Sequence, residues 1–129
     1  MMSERPALRS IDRTDTLGSA HAGARDWRAE RLSAIALAPL SLWFLAGFAV
    51  HARAGYPACR AWLHRPLPAV LMLLLLVVLF RHLELGLRVI IEDYVHSAAK
   101  LPLLIGARLL CLALAVAGLA ATLLILLEH

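Results

Sequence analysis

Three apolar runs dominate the sequence, and each is long enough to cross a lipid bilayer as a helix. They cover about residues 32–50, 67–91 and 101–127. About 20 apolar residues are enough for a spanning helix, because a helix rises about 1.5 Å per residue and the hydrocarbon core is about 30 Å thick. Backbone polar groups in lipid must bond to one another, which favours helices. The sequence therefore predicts an all-α membrane protein with three transmembrane helices.

The composition supports this class and argues against others. Of 129 residues, 61% are hydrophobic and the mean hydropathy is +0.76, as is typical of integral membrane proteins. A net charge of +4 could also suit a nucleic-acid partner, but the arginines cluster at the ends of the apolar runs. Cys59 and Cys111 lie far apart and form no CxxC motif, so neither a disulfide framework nor a zinc site is indicated.

Positive charges are distributed unevenly around the three runs. Arginines precede or open the first run and recur in the first loop, namely Arg5, Arg9, Arg13, Arg25, Arg28, Arg31, Arg53, Arg60 and Arg65. Arg88 and Arg108 flank Lys100 in the second loop, whereas the segment after the third run has neither Lys nor Arg. Because positively charged loops stay inside, this pattern predicts the N-terminus and the second loop inside and the C-terminus outside. Residues 1–26 are then a cytoplasmic tail, and residues 27–129 form the transmembrane domain.

The second run ends with ionisable groups at membrane depth. His82 and Asp93 are 11 residues apart. On a helix this separation is three turns plus about 20°, so both point the same way, roughly 16 Å apart along the axis. Gly86 lies on the same face and would let a flat ligand or another backbone approach. Because a histidine in the membrane is costly, His82 is a candidate functional residue.

The sequence leaves two interpretations of His82 open. A neutral imidazole in a helical bundle can be an axial ligand of haem iron, or it can be a hydrogen-bonded packing residue. The other histidines lie at run ends, in loops or in the tail, namely His21, His51, His64, His96 and His129. A second axial ligand would therefore come from another chain.

Two further groups have both a functional and a structural interpretation. Tyr94 could donate a hydrogen bond to a quinone while Asp93 supplies protons, or the pair could be an interface anchor and a solvated acid. Arg81, Glu84 and Arg88 form a stripe roughly opposite His82, at spacings that permit ion pairs. This stripe could contact a partner subunit or haem propionates, or it could be an intrahelical charge ladder.

At these positions the chain resembles the small membrane-anchor subunit, the D subunit, of succinate dehydrogenase (respiratory complex II). That family has three transmembrane helices, a haem-ligating histidine on the second, a glycine four residues later and an Asp-Tyr pair 11 and 12 residues after the histidine. His82, Gly86, Asp93 and Tyr94 match these spacings. Residues 31–37 and 39–44 also look like the first helix of alphaproteobacterial members.

The resemblance implies cofactors, partners and a location. His82 would be one axial ligand of a b-type haem, with the other supplied by the C-type cytochrome b anchor subunit. Tyr94 would donate to ubiquinone, with Asp93 supporting it. A flavoprotein subunit would oxidise succinate, and an iron–sulfur subunit would pass the electrons on, in the tricarboxylic acid cycle and aerobic electron transport. The chain would lie in the bacterial inner membrane. Ser33 and Arg31 could help line the quinone pocket, but the resemblance does not assign them this role.

Two alternatives differ in what they require of His82. In a purely structural anchor, His82 is only a hydrogen-bonding group and no haem is held. In a small proton-coupled transporter subunit, His82, Glu84 and Asp93 would relay protons. The first alternative predicts assembly without a haem spectrum, and the second predicts activity without dehydrogenase partners.

Overall fold

The described part of the chain is entirely helical. The structure is a computed structural model that describes the backbone of residues 5–128 and the side chains of residues 23–128. Four helices follow one another and no strand occurs among these residues: α1 (Arg5–Ala52), α2 (Tyr56–Leu63), α3 (Pro66–Tyr94) and α4 (Lys100–Leu127). The prediction of an all-α protein with three long apolar helices is confirmed.

The three predicted runs lie within α1, α3 and α4. Helix α1 has 48 residues and continues through Pro39, so it is much longer than the predicted first run. It includes most of residues 1–26, which are therefore helical from Arg5 onward. Residues 1–4 and 129 lie outside the described residues. The cytoplasmic location of the predicted tail stays a prediction.

Helix α2 is an additional element that the apolar runs do not predict. It has eight residues and follows Gly55, whose φ of 92° is a conformation that side chains rarely adopt. Pro57 lies in the first turn of α2, where its missing N–H needs no partner. The connection between α1 and α3 is therefore a compact helical corner that packs against α1, α3 and α4.

Helix α3 is central and packs against both α1 and α4, whereas α1 and α4 do not pack against each other over the described residues. Ser33 of α1 contacts His82 and Asp26 contacts Arg88, so α1 and α3 run antiparallel. A Cβ at Gly118 would lie 3.2 Å from Leu76, which shows how closely α4 approaches α3. The lack of a side chain permits this close packing.

Few apolar side chains are buried within the chain. Ala69, Leu75 and Leu85 of α3 and Cys111 of α4 are buried, but most leucines, isoleucines and valines of the long helices are exposed. An exposed apolar surface of this extent is unsuited to water and marks contact with lipid or with another protein. The helices thus form a bundle whose apolar surface is covered mainly by lipid or by another protein.

Candidate functional site

His82 is held by the first helix. Its Nδ1 lies 2.9 Å from the hydroxyl oxygen of Ser33 in α1, and that hydroxyl also lies 2.8 Å from the backbone oxygen of Glu30. Among the described residues, no hydrogen bond is made to Nε2 of His82. The ring is half-buried. One nitrogen of His82 is therefore engaged by the protein, and the other is free to meet a ligand.

A cleft of about 300 Å³ lies beside His82. It is lined by Trp27, Glu30, Arg31, Ala34 and His82. The guanidinium of Arg31 lies over the indole of Trp27, 5.4 Å from the ring centroid, which is within the range of a cation–π contact. The cleft thus combines an imidazole, the positive charge of Arg31, the carboxyl group of Glu30 and aromatic surface, a set that can contact a flat ligand with polar substituents.

Gly86 leaves further open space on the same face of α3. A Cβ added at Gly86 would meet no atom within 4 Å. This glycine is therefore not required by packing within the described part of the chain. Its position one turn from His82 leaves room for a group from outside the chain.

Asp93 and Tyr94 are the last two residues of α3 and both are exposed, Tyr94 to 81%. The backbone becomes extended at Val95, and Nζ of Lys100 lies 3.5 Å from the oxygen of Glu92, where it can donate to one of the last carbonyls of the helix. Helical geometry places Asp93 roughly 16 Å along the axis from His82. The structure therefore does not bring the two positions together; both project from one helix at different depths.

Glu84 joins α3 to α4. It pairs with Arg81 at 2.9 Å on its own helix and with Arg108 of α4 at 3.5 Å. The sequence spacing permits the Arg81 pair, and the structure contains it. The Arg108 pair explains why a charge in the third run is tolerated, since its partner lies on the neighbouring helix.

Arg88 joins α3 to α1. It pairs with Glu92 at 3.0 Å and with Asp26 at 3.1 Å. No ion pair between Arg88 and Glu84 occurs among the described residues, although their spacing permits one. The charged stripe is therefore more than an intrahelical ladder, because its members connect α3 to both neighbours.

The opposite end of the bundle is an aromatic cluster. Trp62 of α2 is 7% exposed, and its ring lies 5.3 Å from Trp43 and 4.9 Å from His51, centroid to centroid. A Cβ at Gly47 would fall 2.3 Å from an atom of Trp62, so only glycine allows this packing. Arg60 of α2 also pairs with Glu128 after α4. A cavity of about 490 Å³ lies beside this cluster, lined by α2, His64 and Glu128, so the tight packing is confined to the aromatic rings.

The described residues contain no ready-made metal cluster. Over residues 23–128 there is no group of three or more His, Cys, Asp or Glu side chains that could hold a metal ion. Cys59 and Cys111 are both free. The side chains of His21 and His129 lie outside the described residues. Among those described, His82 lines a cleft from within a long apolar helix, and His64 lines the cavity beside α2.

The contact between Ser33 and His82 could not be predicted from the sequence. Ser33 belongs to the stretch that resembles the first helix of the anchor family, but sequence spacing cannot pair residues 49 positions apart. The available signal was weak, since Ser33 is a small polar residue at the start of an apolar run. Arg31 and Trp27 line the same cleft, and the sequence did not place them beside His82 either.

The three apolar helices with a half-buried histidine in the central one define a multi-pass helical membrane protein. The family described as the succinate dehydrogenase/fumarate reductase transmembrane subunit matches residues 4–125, and the chain belongs to this family. The resemblance drawn from the sequence is thereby confirmed. A location in the inner membrane of a bacterium fits the family and the three spans.

Two relatives are succinate dehydrogenase hydrophobic membrane anchor subunits. The protein of Rickettsia conorii is 31% identical over 102 residues, which cover 78% of this chain and 81% of the relative. The protein of Rickettsia bellii is 31% identical over 85 residues, 66% of this chain and 68% of the relative. No solved structure matches the chain.

Proposed function

We propose that this chain is the membrane anchor subunit of a succinate:quinone oxidoreductase. The observation that carries the proposal is the family match over residues 4–125. In this role the chain docks a flavoprotein subunit and an iron–sulfur subunit to the membrane and couples succinate oxidation to quinone reduction. Succinate oxidation itself takes place on the flavoprotein subunit. The complex would serve the tricarboxylic acid cycle and aerobic electron transport.

In this proposal His82 would hold the iron of a b-type haem, together with a histidine of a C-type cytochrome b anchor subunit. The residues fit such a group: the imidazole is half-buried beside a cleft, its Nε2 makes no hydrogen bond among the described residues, and Gly86 leaves space one turn away. A bound haem supplies an iron that accepts and returns one electron at a time. His82 holds it in place, and the α1 contact orients the ring.

Tyr94 and Asp93 are proposed to serve ubiquinone. Reduction of a quinone consumes two electrons and two protons. The exposed hydroxyl of Tyr94 can donate a hydrogen bond to a quinone carbonyl, and the exposed carboxyl group of Asp93 can pass protons from water. Their position at the end of a transmembrane helix suits a substrate that enters from the lipid.

The proposed partners follow from charge and exposed surface. With the N-terminus and the α3–α4 loop inside, Tyr94 lies at the inner surface, where the iron–sulfur subunit would dock. The exposed apolar faces of the long helices would pack against lipid and against the C-type subunit. The polar start of the chain, residues 1–26, would lie on the inner side.

Purification of the complex through an N-terminal tag on this chain, in mild detergent, tests the proposal. Reduced-minus-oxidised visible spectra are recorded with succinate and then dithionite for the wild type and for His82→Ala. His64→Ala is the matched control, because His64 lies in the α2 corner and its Nε2 bonds to the backbone oxygen of Glu128. We expect a b-type spectrum in the wild type and in the control, and its loss in His82→Ala.

The other outcomes select the alternatives. Flavoprotein and iron–sulfur partners that co-purify without any haem spectrum would support the haem-free anchor, for which the bond from His82 to Ser33 is a sufficient structural role. A purified chain that carries neither haem nor partner subunits would contradict the anchor function, and it would favour a proton-coupled transporter subunit.

A further inference from the structure

We propose that Ser33 is a positioning residue for His82, which fixes the ring proton on Nδ1 and leaves Nε2 as the nitrogen that binds iron. The inference rests on the proposed haem function and deepens it. It follows from two contacts of one hydroxyl group: Ser33 Oγ to Glu30 O at 2.8 Å and Ser33 Oγ to His82 Nδ1 at 2.9 Å.

The proton positions follow from counting donors. A serine hydroxyl has one hydrogen, and the backbone oxygen of Glu30 can only accept. Both contacts are satisfied together when Ser33 donates to Glu30 and accepts from Nδ1–H of His82. The opposite arrangement, with Ser33 donating to His82, leaves two acceptors facing each other at the Glu30 contact. The neutral ring therefore carries its proton on Nδ1.

The consequence for ligand binding is specific. A neutral imidazole that is protonated on Nδ1 has its lone pair on Nε2. This tautomer binds a metal ion through Nε2. A hydrogen bond from the other ring N–H makes the ligand more basic and fixes the plane of the ring. Since Nδ1 is occupied by Ser33, coordination through Nδ1 would require the α1–α3 contact to break. The geometry points to Nε2 as the ligating atom.

The anchoring of Ser33 strengthens the argument. Glu30 and Ser33 belong to the same turn of α1, so the hydroxyl is held by its own backbone whether or not His82 is present. Ala34 and Arg31, its neighbours in sequence, line the cleft beside His82. The acceptor for Nδ1–H is thus preformed on the helix that borders the space a ligand would enter.

Four variants of the intact complex test the inference. Ser33→Ala removes the acceptor, and Ser33→Thr keeps a hydroxyl at the same position. Ser33→Cys keeps the volume with a poor acceptor, and it replaces the alanine variant should that variant fail to assemble. Ser41→Ala makes the same change eight residues along α1. Two properties are measured: the rate of haem loss to excess apomyoglobin, and the haem midpoint potential by spectroscopic redox titration.

We expect Ser33→Ala to lose haem at least about tenfold faster than the wild type, as is usual when the partner of a ligating histidine is removed. Its midpoint potential should shift to more positive values, because a less basic ligand stabilises the oxidised iron less. Ser33→Thr and Ser41→Ala should resemble the wild type in both measurements. Wild-type values in Ser33→Ala, or equal changes in the alanine and threonine variants, would overturn the inference.

The same series distinguishes this inference from the proposed function. A haem-free His82→Ala complex together with wild-type behaviour of Ser33→Ala would overturn only the role of Ser33. A normal haem spectrum in His82→Ala would overturn the assignment of His82 as a haem ligand, and the role of Ser33 with it.

Discussion

His51 and His82 each make a hydrogen bond to a residue of α1, but their rings lie in different surroundings. Nδ1 of His51 donates to the oxygen of Gly47 at 2.7 Å, and Nδ1 of His82 contacts Ser33 at 2.9 Å. The ring of His51 stacks on Trp62, whereas His82 lines a cleft of about 300 Å³. The hydrogen bond is therefore common to both histidines, and the space beside the ring is what separates a packing histidine from a candidate ligand.

Two glycines repeat this contrast. A Cβ at Gly47 would collide with Trp62, whereas a Cβ at Gly86 would meet nothing within 4 Å. Gly47 is explained by contacts inside the chain, while Gly86 is not. The packing around Gly47 and Trp62 is thus completed by residues of the chain, whereas the face of α3 that carries His82 and Gly86 leaves space for another molecule.

The largest expected effect is in the aromatic cluster around Trp62. Trp62→Ala removes a buried indole that contacts Trp43, His51 and Gly47, and we expect it to destabilise the chain by about 3 kcal/mol. Unfolding with increasing denaturing detergent, followed by circular dichroism in mild micelles, measures the change. The control is Tyr56→Ala, an exposed aromatic residue of the same helix. Equal losses in the two variants would contradict the tight packing around Trp62.

Gly86→Leu tests the face of α3 that carries His82 and Gly86. Because nothing in the described chain fills this space, stability in isolation should change little, whereas haem content in the assembled complex should fall roughly tenfold through steric exclusion. Gly106→Leu is the matched control, since a Cβ there is equally unobstructed on α4. Full haem content in Gly86→Leu would mean that no ligand or partner approaches this face closely.

Tyr94→Phe should have a smaller effect. Loss of one hydrogen bond to the quinone should lower succinate-to-ubiquinone turnover about fivefold, while reduction of an artificial dye by the catalytic subunits stays at the wild-type rate. The control is Tyr56→Phe, which removes a phenolic hydroxyl from the other end of the bundle. A parallel decline of dye reduction in Tyr94→Phe would argue against a quinone role.

The smallest effect is expected for Arg81→Gln. Its pair with Glu84 is half exposed on the arginine side, and exposed pairs contribute less than about 1 kcal/mol. Glu84 keeps Arg108 as a partner in this variant. The same unfolding measurement applies, and a loss approaching that of Trp62→Ala would contradict the small contribution expected of an exposed pair.

The spans could be predicted from sequence because a segment that crosses lipid must satisfy its own backbone as a helix. Such a segment is recognised by its length and its hydropathy. The packing of the spans could not. Leucines cover nearly every face of α4, so no periodicity marks the side that meets α3. Helix α2 was missed because eight residues with an early proline carry too little pattern, and the extension of α1 was missed because its polar turns resemble a tail.

In the candidate site, too, some residues could be predicted from the sequence but their contacts could not. His82, Asp93 and Tyr94 could be singled out because ionisable or phenolic groups at the end of an apolar run are conspicuous. Their roles stay predictions. Ser33 and Asp26 could not be paired with His82 and Arg88, since these contacts depend on the relative depth of two helices.

The contact of Ser33 with its own backbone has a consequence for biogenesis. Helix α1 is synthesised before α3, so its polar side chains enter the membrane before their partners exist. The bond from the Ser33 hydroxyl to Glu30 keeps that hydroxyl satisfied during this interval. When α3 inserts, His82 can dock onto an oxygen that still has a lone pair to share, and no earlier bond has to be broken.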